Sequence, residues 1–436
     1  MRILIISSLS PYSSANHGKR LIDTFEDAGY EVDYLTKYRF DGMTETMYSV
    51  YDEKEPTIPA MTVSSKTSLR YYIYVKFPFI RRYYEKKEIS QSVIRLNEED
   101  PEVDAALLCK KITKQYDVVF VSFWQYMLTT KTLKMIYEKL HVPIFLYTVD
   151  MYPMTGGCYY FNDCHNYKNE CLNCPAAKKF SNPEIPHNNF LYKKDVYNSI
   201  NCIYFCNNWM KEHVVSSGII PIDRIRHYLN SGNQSFKLDK TQEELRKEFE
   251  LPLDKFIIFA GAANIRHRRK GFYELVSAIN FFAKKRKIRK NTILVLAGRN
   301  KENFQKFFKV KVLHFGFLPT DKLEKMYGAA DLYLSPSIDD AGPSMVNQSL
   351  RCGTPVVAFN MGVAPEVIEQ KQTGYIAKLG DVKDFSCGIR FFYDLDKKQR
   401  EAISLKCRNT TTGSGSTQTF ITSFEQLYAE FKDKNI

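Results

Sequence analysis

Residues 331–359, near the C-terminus, constrain the fold more than any other part of the chain. The stretch opens with the apolar run 331–334, which predicts a short buried strand. Two acids follow, and Pro343 then favours the first turn of a helix because its missing N–H would have no intrahelical partner there. Gly353 suits the left-handed residue that ends a helix, and residues 356–359 predict the next strand. The run therefore predicts a strand, an acidic loop, a helix and a strand in succession.

The start of this predicted helix is a candidate anion site. The first N–H groups of a helix have no intrahelical partner and lie at the positive end of the helix dipole, which suits a phosphate. The free amides nearest the acids belong to Ser344 and Met345. Asp340 lies before the helix and Gln348 lies within it, so both side chains can address one ligand.

The same run resembles the signature of retaining, nucleotide-sugar-dependent glycosyltransferases of the glycogen-synthase and sucrose-synthase-like group. Their pattern has two Glu separated by seven residues, then small residues and Gly-x-Pro-Val. Asp340 and Gln348 stand at the two Glu positions. The resemblance implies an α/β GT-B fold, in which two Rossmann-like, doubly wound domains face a cleft. It also implies that Asp340 lies near the donor sugar, Gln348 near the ribose hydroxyls, and the amides of Ser344 and Met345 near the diphosphate.

A basic loop before this run predicts a diphosphate clamp. Residues 256–261 predict a buried strand, and the following loop ends in Lys270 and Gly271. The family carries an Arg directly after its first loop Gly, where this chain has Ala262, and a Lys before the second. The resemblance implies that Lys270 keeps the lysine role. The candidates for the missing arginine are Arg266, Arg268 and Arg269. The backbone of Phe317 and Leu318 resembles the family segment that holds the nucleobase.

The opening of the chain predicts a second doubly wound sheet. Residues 2–8 and 31–35 predict strands, and residues 19–28 predict the helix between them. The intervening loop lacks a Gly-x-Gly-x-x-Gly pattern, so a dinucleotide cofactor is not predicted. Gly18 is the one match to a Gly-rich, donor-facing loop of the family.

Asp150 follows another predicted strand, residues 144–148, at the end where open α/β sheets place their ligands. Similar family members have His-Asp at this point, and this chain has Val149 and Asp150. Two roles stay open for Asp150: contact with the acceptor, or a structural cap of the loop.

Four cysteines then occur within residues 158–174: Cys158, Cys164, Cys171 and Cys174. Four thiolates can close a tetrahedral structural zinc site, and an iron–sulfur cluster is a less favoured alternative. Unliganded thiols are the third reading. Neither metal would take part in the chemistry, and no cofactor is expected for catalysis. A similar Cys-rich insert after Thr-Gly-Gly-Cys occurs in some bacterial polysaccharide glycosyltransferases.

Charge and composition favour anionic partners. The 436 residues carry a net charge of +13, and no apolar run approaches the roughly 18 residues of a spanning helix. Ten scattered cysteines without an export signal predict a reducing, cytoplasmic compartment. Residues 69–84 alternate aromatic and basic side chains. They predict either peripheral contact with the anionic inner face of a membrane or a helix packed on the sheet.

Together these patterns predict an N-terminal acceptor domain (1–235), a C-terminal nucleotide-sugar domain (236–415) and a terminal helix (416–436) that returns to the first domain. The predicted enzyme is a retaining glycosyltransferase that moves a hexose from a UDP- or GDP-sugar to a glycan or polyprenyl-linked acceptor in surface polysaccharide biosynthesis. The candidate catalytic residues are Asp340, Lys270 and Asp150.

Two alternatives stay open from the sequence. A nucleotide-sugar-binding protein without turnover is suggested by Val149, Ala262 and Gln348, where the chain departs from the family pattern. A basic, Cys-rich nucleic-acid-binding protein is suggested by the charge and the four cysteines, but no recognition module is present in the sequence and no nucleic-acid partner is expected.

Overall fold

The computed structural model describes residues 1–12, 17–54, 98–147, 150–161, 163–177, 182–227, 238–300, 302–342, 344–410 and 417–434. These residues form two compact units. The first unit holds the described residues up to 227 together with 417–434, and the second holds 238–410. The predicted membrane-contact segment 69–84 lies outside the described residues, as do Val149 and Pro343.

The described part of the first unit is built on a seven-stranded parallel sheet. Its strands are β1 (Arg2–Ser7), β2 (Glu31–Thr36), β3 (Met47–Ser49), β4 (Val118–Val121), β5 (Ile144–Tyr147), β6 (Cys202–Cys206) and β7 (Ile225–His227). The strand order is β3-β2-β1-β4-β5-β6-β7. Every residue of β4, β5 and β6 is buried, as expected for parallel strands that are covered on both faces.

Five helices connect these strands in the described residues: α1 (His17–Asp27), α2 (Ala105–Lys111), α3 (Thr130–Leu140), α4 (Ile185–Ser199) and α5 (Asn208–Ser217). The helix α1 begins two residues earlier than the sequence predicts. The Cys-rich segment lies between β5 and α4, and it contains two short 3₁₀ turns, Tyr152–Met154 and Asn166–Asn169.

The described part of the second unit is built on a six-stranded parallel sheet. Its strands are β8 (Phe256–Gly261), β9 (Thr292–Ala297), β10 (Lys311–His314), β11 (Leu332–Ser335), β12 (Val356–Phe359) and β13 (Gly374–Ala377). The order β10-β9-β8-β11-β12-β13 reverses direction between β8 and β11. Open α/β sheets bind their ligands at such a switch point, outside the carboxyl ends of the strands.

Among residues 238–410 as described, eight helices accompany this sheet: α6 (Gln242–Glu248), α7 (Phe272–Phe282), α8 (Arg286–Asn291), α9 (Thr320–Ala329), α10 (Ser344–Arg351), α11 (Ala364–Val367), α12 (Val382–Asp394) and α13 (Lys397–Thr410). Residues 331–359 form β11, a loop, α10 and β12, as predicted. Gly353, which follows α10, has a φ of 81°. In the parts of the chain that the structure describes, no helix has the length and apolarity needed to cross a membrane.

The last described helix, α14 (Thr417–Lys434), packs on the first sheet rather than on the second. Phe424 is fully buried there. Its ring centroid lies 5.2 Å from that of Phe25, 5.6 Å from that of Phe120 and 5.5 Å from that of Phe145. Phe424 thus completes an aromatic core that also contains Phe25 of α1, Phe120 of β4 and Phe145 of β5.

Replacing Phe424 with Ala is expected to destabilise the first unit by about 3–5 kcal/mol, because a large buried ring is lost and a cavity remains. Urea unfolding followed by circular dichroism would measure the change. Gln426→Ala, at an exposed position of the same helix, is the matched control and should change the free energy of unfolding by less than about 0.5 kcal/mol. Equal effects of the two substitutions would contradict this packing.

Candidate functional site

Two loops meet at the switch point of the second sheet. The loop after β8 ends in the 3₁₀ turn Arg268–Lys270, and the loop after β11 contains the two acids. The carbonyl oxygen of Arg269 accepts hydrogen bonds from the backbone N–H of Ile338 at 2.8 Å and of Asp339 at 3.4 Å. Backbone hydrogen bonds therefore hold the basic turn against the acidic loop.

Gly271 makes this close approach possible. Its φ is 68°, and a Cβ placed on it would lie 1.6 Å from the carbonyl oxygen of Pro336. Only glycine fits both the left-handed backbone and the missing space. The Lys270-Gly271 pair in the sequence thus has a geometric cause: the glycine lets the lysine turn lie on the loop that carries Asp340.

Asp340 pairs with two of the three cations of the turn, Arg269 and Lys270. Its Oδ2 lies 2.8 Å from Nη1 of Arg269 and is also in contact with Nζ of Lys270. Asp340 is only 6% exposed, and this burial would raise its pKa, but Lys270 and Arg269 outweigh it and hold the pKa below its usual range. Two cations share one carboxylate, so the cluster keeps one excess positive charge at the switch point.

The other two candidate arginines have acidic partners of their own. Nη1 of Arg266 lies 3.2 Å from Glu302, and Nη1 of Arg268 lies 3.0 Å from Glu274. Burial, together with Arg269 and Lys270, lowers the pKa of His267 to about 4, so this ring is neutral near pH 7. Of the three arginines that the sequence leaves open, Arg269 is the one that the structure brings to Lys270 and Asp340.

The helix α10 begins with Ser344, four positions after Asp340. A Cβ placed on Gly261, at the end of β8, would lie 3.2 Å from Cε of Met345, so the first turn of α10 is next to the carboxyl end of β8. Gln348 is 8% exposed, and its Oε1 accepts a hydrogen bond of 3.3 Å from the hydroxyl of Tyr327. Tyr327 orients Gln348, and no local pattern in the sequence points to this contact.

Phe317 and Leu318 follow β10 in the same unit. Leu318 is part of the hydrophobic core of this unit. The ring of Phe317 is 40% exposed, and the guanidinium carbon of Arg299 lies 4.7 Å from its centroid. The guanidinium group and the exposed ring together form a flat, polarised surface, which can contact another aromatic ring.

Gly18 and Asp150 belong to the first unit. Gly18 is buried in α1, where a Cβ would lie 2.4 Å from the hydroxyl of Tyr34. Asp150 is 1% exposed. Its Oδ1 accepts a 2.9 Å hydrogen bond from the backbone N–H of Tyr152, and its Oδ2 accepts one from the side-chain amide of Gln125. Of the two roles left open for Asp150, these contacts match that of a cap for the loop after β5.

A buried ion pair, which the sequence did not reveal, supports that loop. Lys193 and Glu98 are 0% and 1% exposed, and Nζ of Lys193 lies 3.4 Å from Oε2 of Glu98. Nζ also donates to the carbonyl oxygens of Tyr152 at 2.8 Å and Thr155 at 3.1 Å. Burial lowers the pKa of Lys193, and Glu98 opposes that shift. The two residues are far apart in the sequence, so no local motif connects them.

The four cysteines of the insert line one small cavity. Its volume is about 20 Å³, and its walls include Cys158, Cys164, Cys171 and Cys174. All ten cysteines of the chain are free thiols. Burial raises the pKa of Cys158 well above its ordinary value, and the three other cysteines of the insert raise it further. Across the described ranges, no three His, Cys, Asp or Glu side chains are already arranged as a metal site.

The comparisons with known proteins agree with the position of the cluster in the second unit. Residues 241–408 match the family model described as "Glycosyl transferases group 1". The matched residues include Lys270, Arg269 and Asp340, together with α10.

Curated relatives match parts of the chain. The Arabidopsis thaliana protein named sulfoquinovosyl transferase SQD2 is 30% identical over 118 residues, which cover 26% of this chain and 23% of that protein. A protein of Methanocaldococcus jannaschii, named as an uncharacterised glycosyltransferase, is 28% identical over 177 residues, covering 38% of this chain and 44% of that protein. The chain thus spans less than half the length of these two relatives.

Solved structures match the chain over its full length. Sucrose-phosphate synthase from Thermosynechococcus elongatus has a TM-score of 0.65 at 14% identity, with 100% of each chain covered. HepE of Anabaena, in complex with UDP and glucose, has a TM-score of 0.59 at 13% identity, covering 99% of this chain and 100% of that one. These likenesses confirm the predicted GT-B fold with two Rossmann-like domains.

Proposed function

We propose that this chain is a retaining glycosyltransferase that moves a hexose from a nucleoside-diphosphate donor to a glycan or lipid-linked acceptor. The observation that carries the proposal is the pairing of Lys270 and Arg269 on Asp340, beside the start of α10. The match to the group 1 family model supports it, and so does the likeness to HepE, which binds UDP and UDP-glucose. Surface polysaccharide biosynthesis at the inner face of a membrane is the setting that we propose.

In this proposal the diphosphate is held without a metal. Lys270 and Arg269 supply two positive charges, and the first amides of α10, those of Ser344 and Met345, supply hydrogen-bond donors at the positive end of a helix dipole. Fixed charges in a partly buried site stabilise a developing phosphate charge more strongly than the same groups in water would. The β-phosphate is stabilised most, because it gains negative charge as it becomes part of the leaving group.

Other residues are our candidates for binding the ribose, the nucleobase and the sugar of the donor. Gln348, held by Tyr327, is our candidate for the ribose hydroxyls, and the backbone of Phe317 and Leu318 is our candidate for the nucleobase. Gly18 lies in the helix α1 rather than in the loop that the sequence predicts, so we assign it no part in donor binding. Asp340 is our candidate for orienting the sugar, which it can do once the diphosphate has taken over its two cations.

The transfer step follows from these roles. The bond between the anomeric carbon and the β-phosphate oxygen breaks, and its electron pair leaves with the nucleoside diphosphate. The acceptor hydroxyl oxygen forms the new bond to the same face of that carbon. The proton of that hydroxyl passes to the departing phosphate oxygen. Because attack and departure occur on the same face, the anomeric configuration is retained without an enzyme nucleophile. Lys270 and Arg269 lower the barrier by stabilising the diphosphate as it gains charge.

Thermal-shift measurements with UDP, GDP and a panel of their sugars test the binding part of the proposal. We expect one nucleoside diphosphate to raise the melting temperature of the protein. Incubating the corresponding nucleotide sugar with the enzyme should release that diphosphate. Proton NMR of the product would then give the anomeric configuration. Stabilisation without release would favour a binding protein without turnover, and stabilisation by none of these ligands would contradict the proposal.

Asp340→Asn is expected to separate binding from transfer. Removing the carboxylate frees Lys270 and Arg269 from their internal partner, so the affinity for the free nucleoside diphosphate should rise by about tenfold, equivalent to about 1.4 kcal/mol. The rate of transfer should fall, because the sugar loses its orienting carboxylate. Isothermal titration calorimetry and an assay of diphosphate release would measure the two changes.

Asp339→Asn is the matched control for this experiment. It removes one negative charge from the neighbouring position of the same loop and leaves Asp340, with its ion pairs to Lys270 and Arg269, in place. The control should change diphosphate affinity by less than about twofold at physiological salt, because a more exposed charge is screened. Weaker diphosphate binding by Asp340→Asn would show that Asp340 does not compete for the two cations.

A further inference from the structure

We propose that Cys158, Cys164, Cys171 and Cys174 bind one structural zinc ion in the first unit. Chain connectivity alone does not bring four cysteines together, since Cys158 and Cys174 are sixteen positions apart and the 3₁₀ turn Asn166–Asn169 lies between them. Nevertheless all four line one cavity. The six other cysteines of the chain lie elsewhere in the sequence, at positions 109, 202, 206, 352, 387 and 407.

The size of the cavity selects the ligand. A volume of about 20 Å³ is close to the space that a single water-sized sphere needs, so one ion fits and an organic molecule does not. A four-iron cluster has eight core atoms and would need the walls to move much further apart. Four soft sulfur ligands around one ion are typical of tetrahedral zinc, and four protein ligands leave no open position for chemistry.

The backbone around the cavity has the tight turns of a metal-binding loop. Glu170, Cys171 and Asn173 all have φ between 51° and 56°, which bends the Cys-x-x-Cys segment sharply. The backbone N–H of Gly156 donates to Sγ of Cys171 at 3.1 Å. An N–H donor aimed at sulfur stabilises a thiolate, which is the form that ligates a metal.

Gly156 also shows how tightly this region is packed. A Cβ placed on it would lie 1.9 Å from the carbonyl oxygen of Pro186, in the first turn of α4. The cavity is therefore framed by the insert on one side and by α4 on the other. Because no three ligands are yet in a metal geometry, zinc binding would require the sulfur atoms to move closer together.

Zinc would fix the loop that carries Asp150. The backbone N–H of Met151 donates to the carbonyl oxygen of Tyr159 at 3.0 Å, and the rings of Tyr152 and Tyr159 stack with centroids 5.1 Å apart. Tyr159 directly follows Cys158, so the first cysteine and the loop after β5 form one connected piece. The zinc ion has no part in the proposed transfer step, so the zinc proposal does not depend on that step.

Metal analysis of the purified full-length chain tests the proposal. After expression with added zinc, we expect about one zinc per chain by inductively coupled plasma mass spectrometry, and titration of the thiols with a mercurial should release it. The double variant Cys171→Ser, Cys174→Ser should hold less than about one tenth of that zinc. Cys387→Ser, at an exposed position of α12, is the matched control and should keep the full amount.

The wild-type chain keeps the proposal falsifiable if the double variant does not fold. A zinc content below about 0.1 per chain in the folded wild type would overturn it. Iron with inorganic sulfide, or a mass lower by two hydrogens that indicates a disulfide, would overturn it in favour of a cluster or a cystine. Equal zinc loss from Cys387→Ser would also overturn it, because the ion would then not be assigned to the insert.

Discussion

Lys270→Ala should reduce the rate of sugar transfer by about 10²–10³-fold, which corresponds to about 3–4 kcal/mol of lost transition-state stabilisation. Lys270 is held at the switch point of the second sheet by the turn Arg268–Lys270, whose close approach to the acidic loop requires a glycine at position 271. Its charge lies next to the position that we assign to the diphosphate. Among the described residues, losing Lys270 leaves Arg269 as the one cation paired with Asp340, so the charges of this cluster cancel.

Diphosphate release from the donor sugar would measure this change, with kcat and KM determined separately. Because the leaving group gains charge as the bond breaks, most of the loss should appear in kcat. Lys285→Ala is the matched control, since it removes the same charge from an exposed position of the same unit and should leave the rate within about twofold. A wild-type rate for Lys270→Ala would refute the assigned role.

Lys193→Met should destabilise the first unit by about 3–5 kcal/mol, because it leaves the carboxylate of Glu98 buried without its cation. Glu98 is 1% exposed, and it accepts hydrogen bonds from the backbone and hydroxyl of Thr130 and from the hydroxyl of Tyr152. These three donors cannot replace a full positive charge. Equilibrium unfolding in urea would give the change in free energy.

The neighbouring residue supplies the control. Lys194 pairs with Glu170, and both side chains are more than one third exposed, so Lys194→Met should cost less than about 1 kcal/mol. In the double variant Lys193→Met, Glu98→Gln, neither member of the pair carries a buried charge. Its loss in the free energy of unfolding should therefore be smaller than the sum of the losses in the two single variants. Strict additivity of the two substitutions would argue against a coupled pair.

The apolar runs of the sequence predicted much of the fold. The predicted strand 256–261 coincides with β8, and the predicted strands near residues 2, 31 and 144 end within one residue of β1, β2 and β5. Parallel strands buried on both faces are short, continuous apolar runs, which are easy to detect. The start of α1 was placed less well, because local propensity determines helix ends only within a few residues.

The candidate site was predicted by residue type but not by pairing. The basic loop offered three arginines, and only the ion pairs with Glu302 and Glu274 distinguish Arg266 and Arg268 from Arg269. Those pairs depend on how β8, α7 and the segment after β9 pack. Lys193 and Glu98 were missed for the same reason, since tertiary packing brings them together from positions 95 residues apart.

The position of α14 affects the order in which the chain can fold during synthesis. Translation delivers β1 to β7 first, then all the described residues of the second unit, and only afterwards the helix whose Phe424 completes the aromatic core formed by α1, β4 and β5. Until then that core presents uncovered rings, while the later-made sheet already has all its strands. The half that leaves the ribosome first is therefore the half that matures last, and it is the one that most needs protection from aggregation.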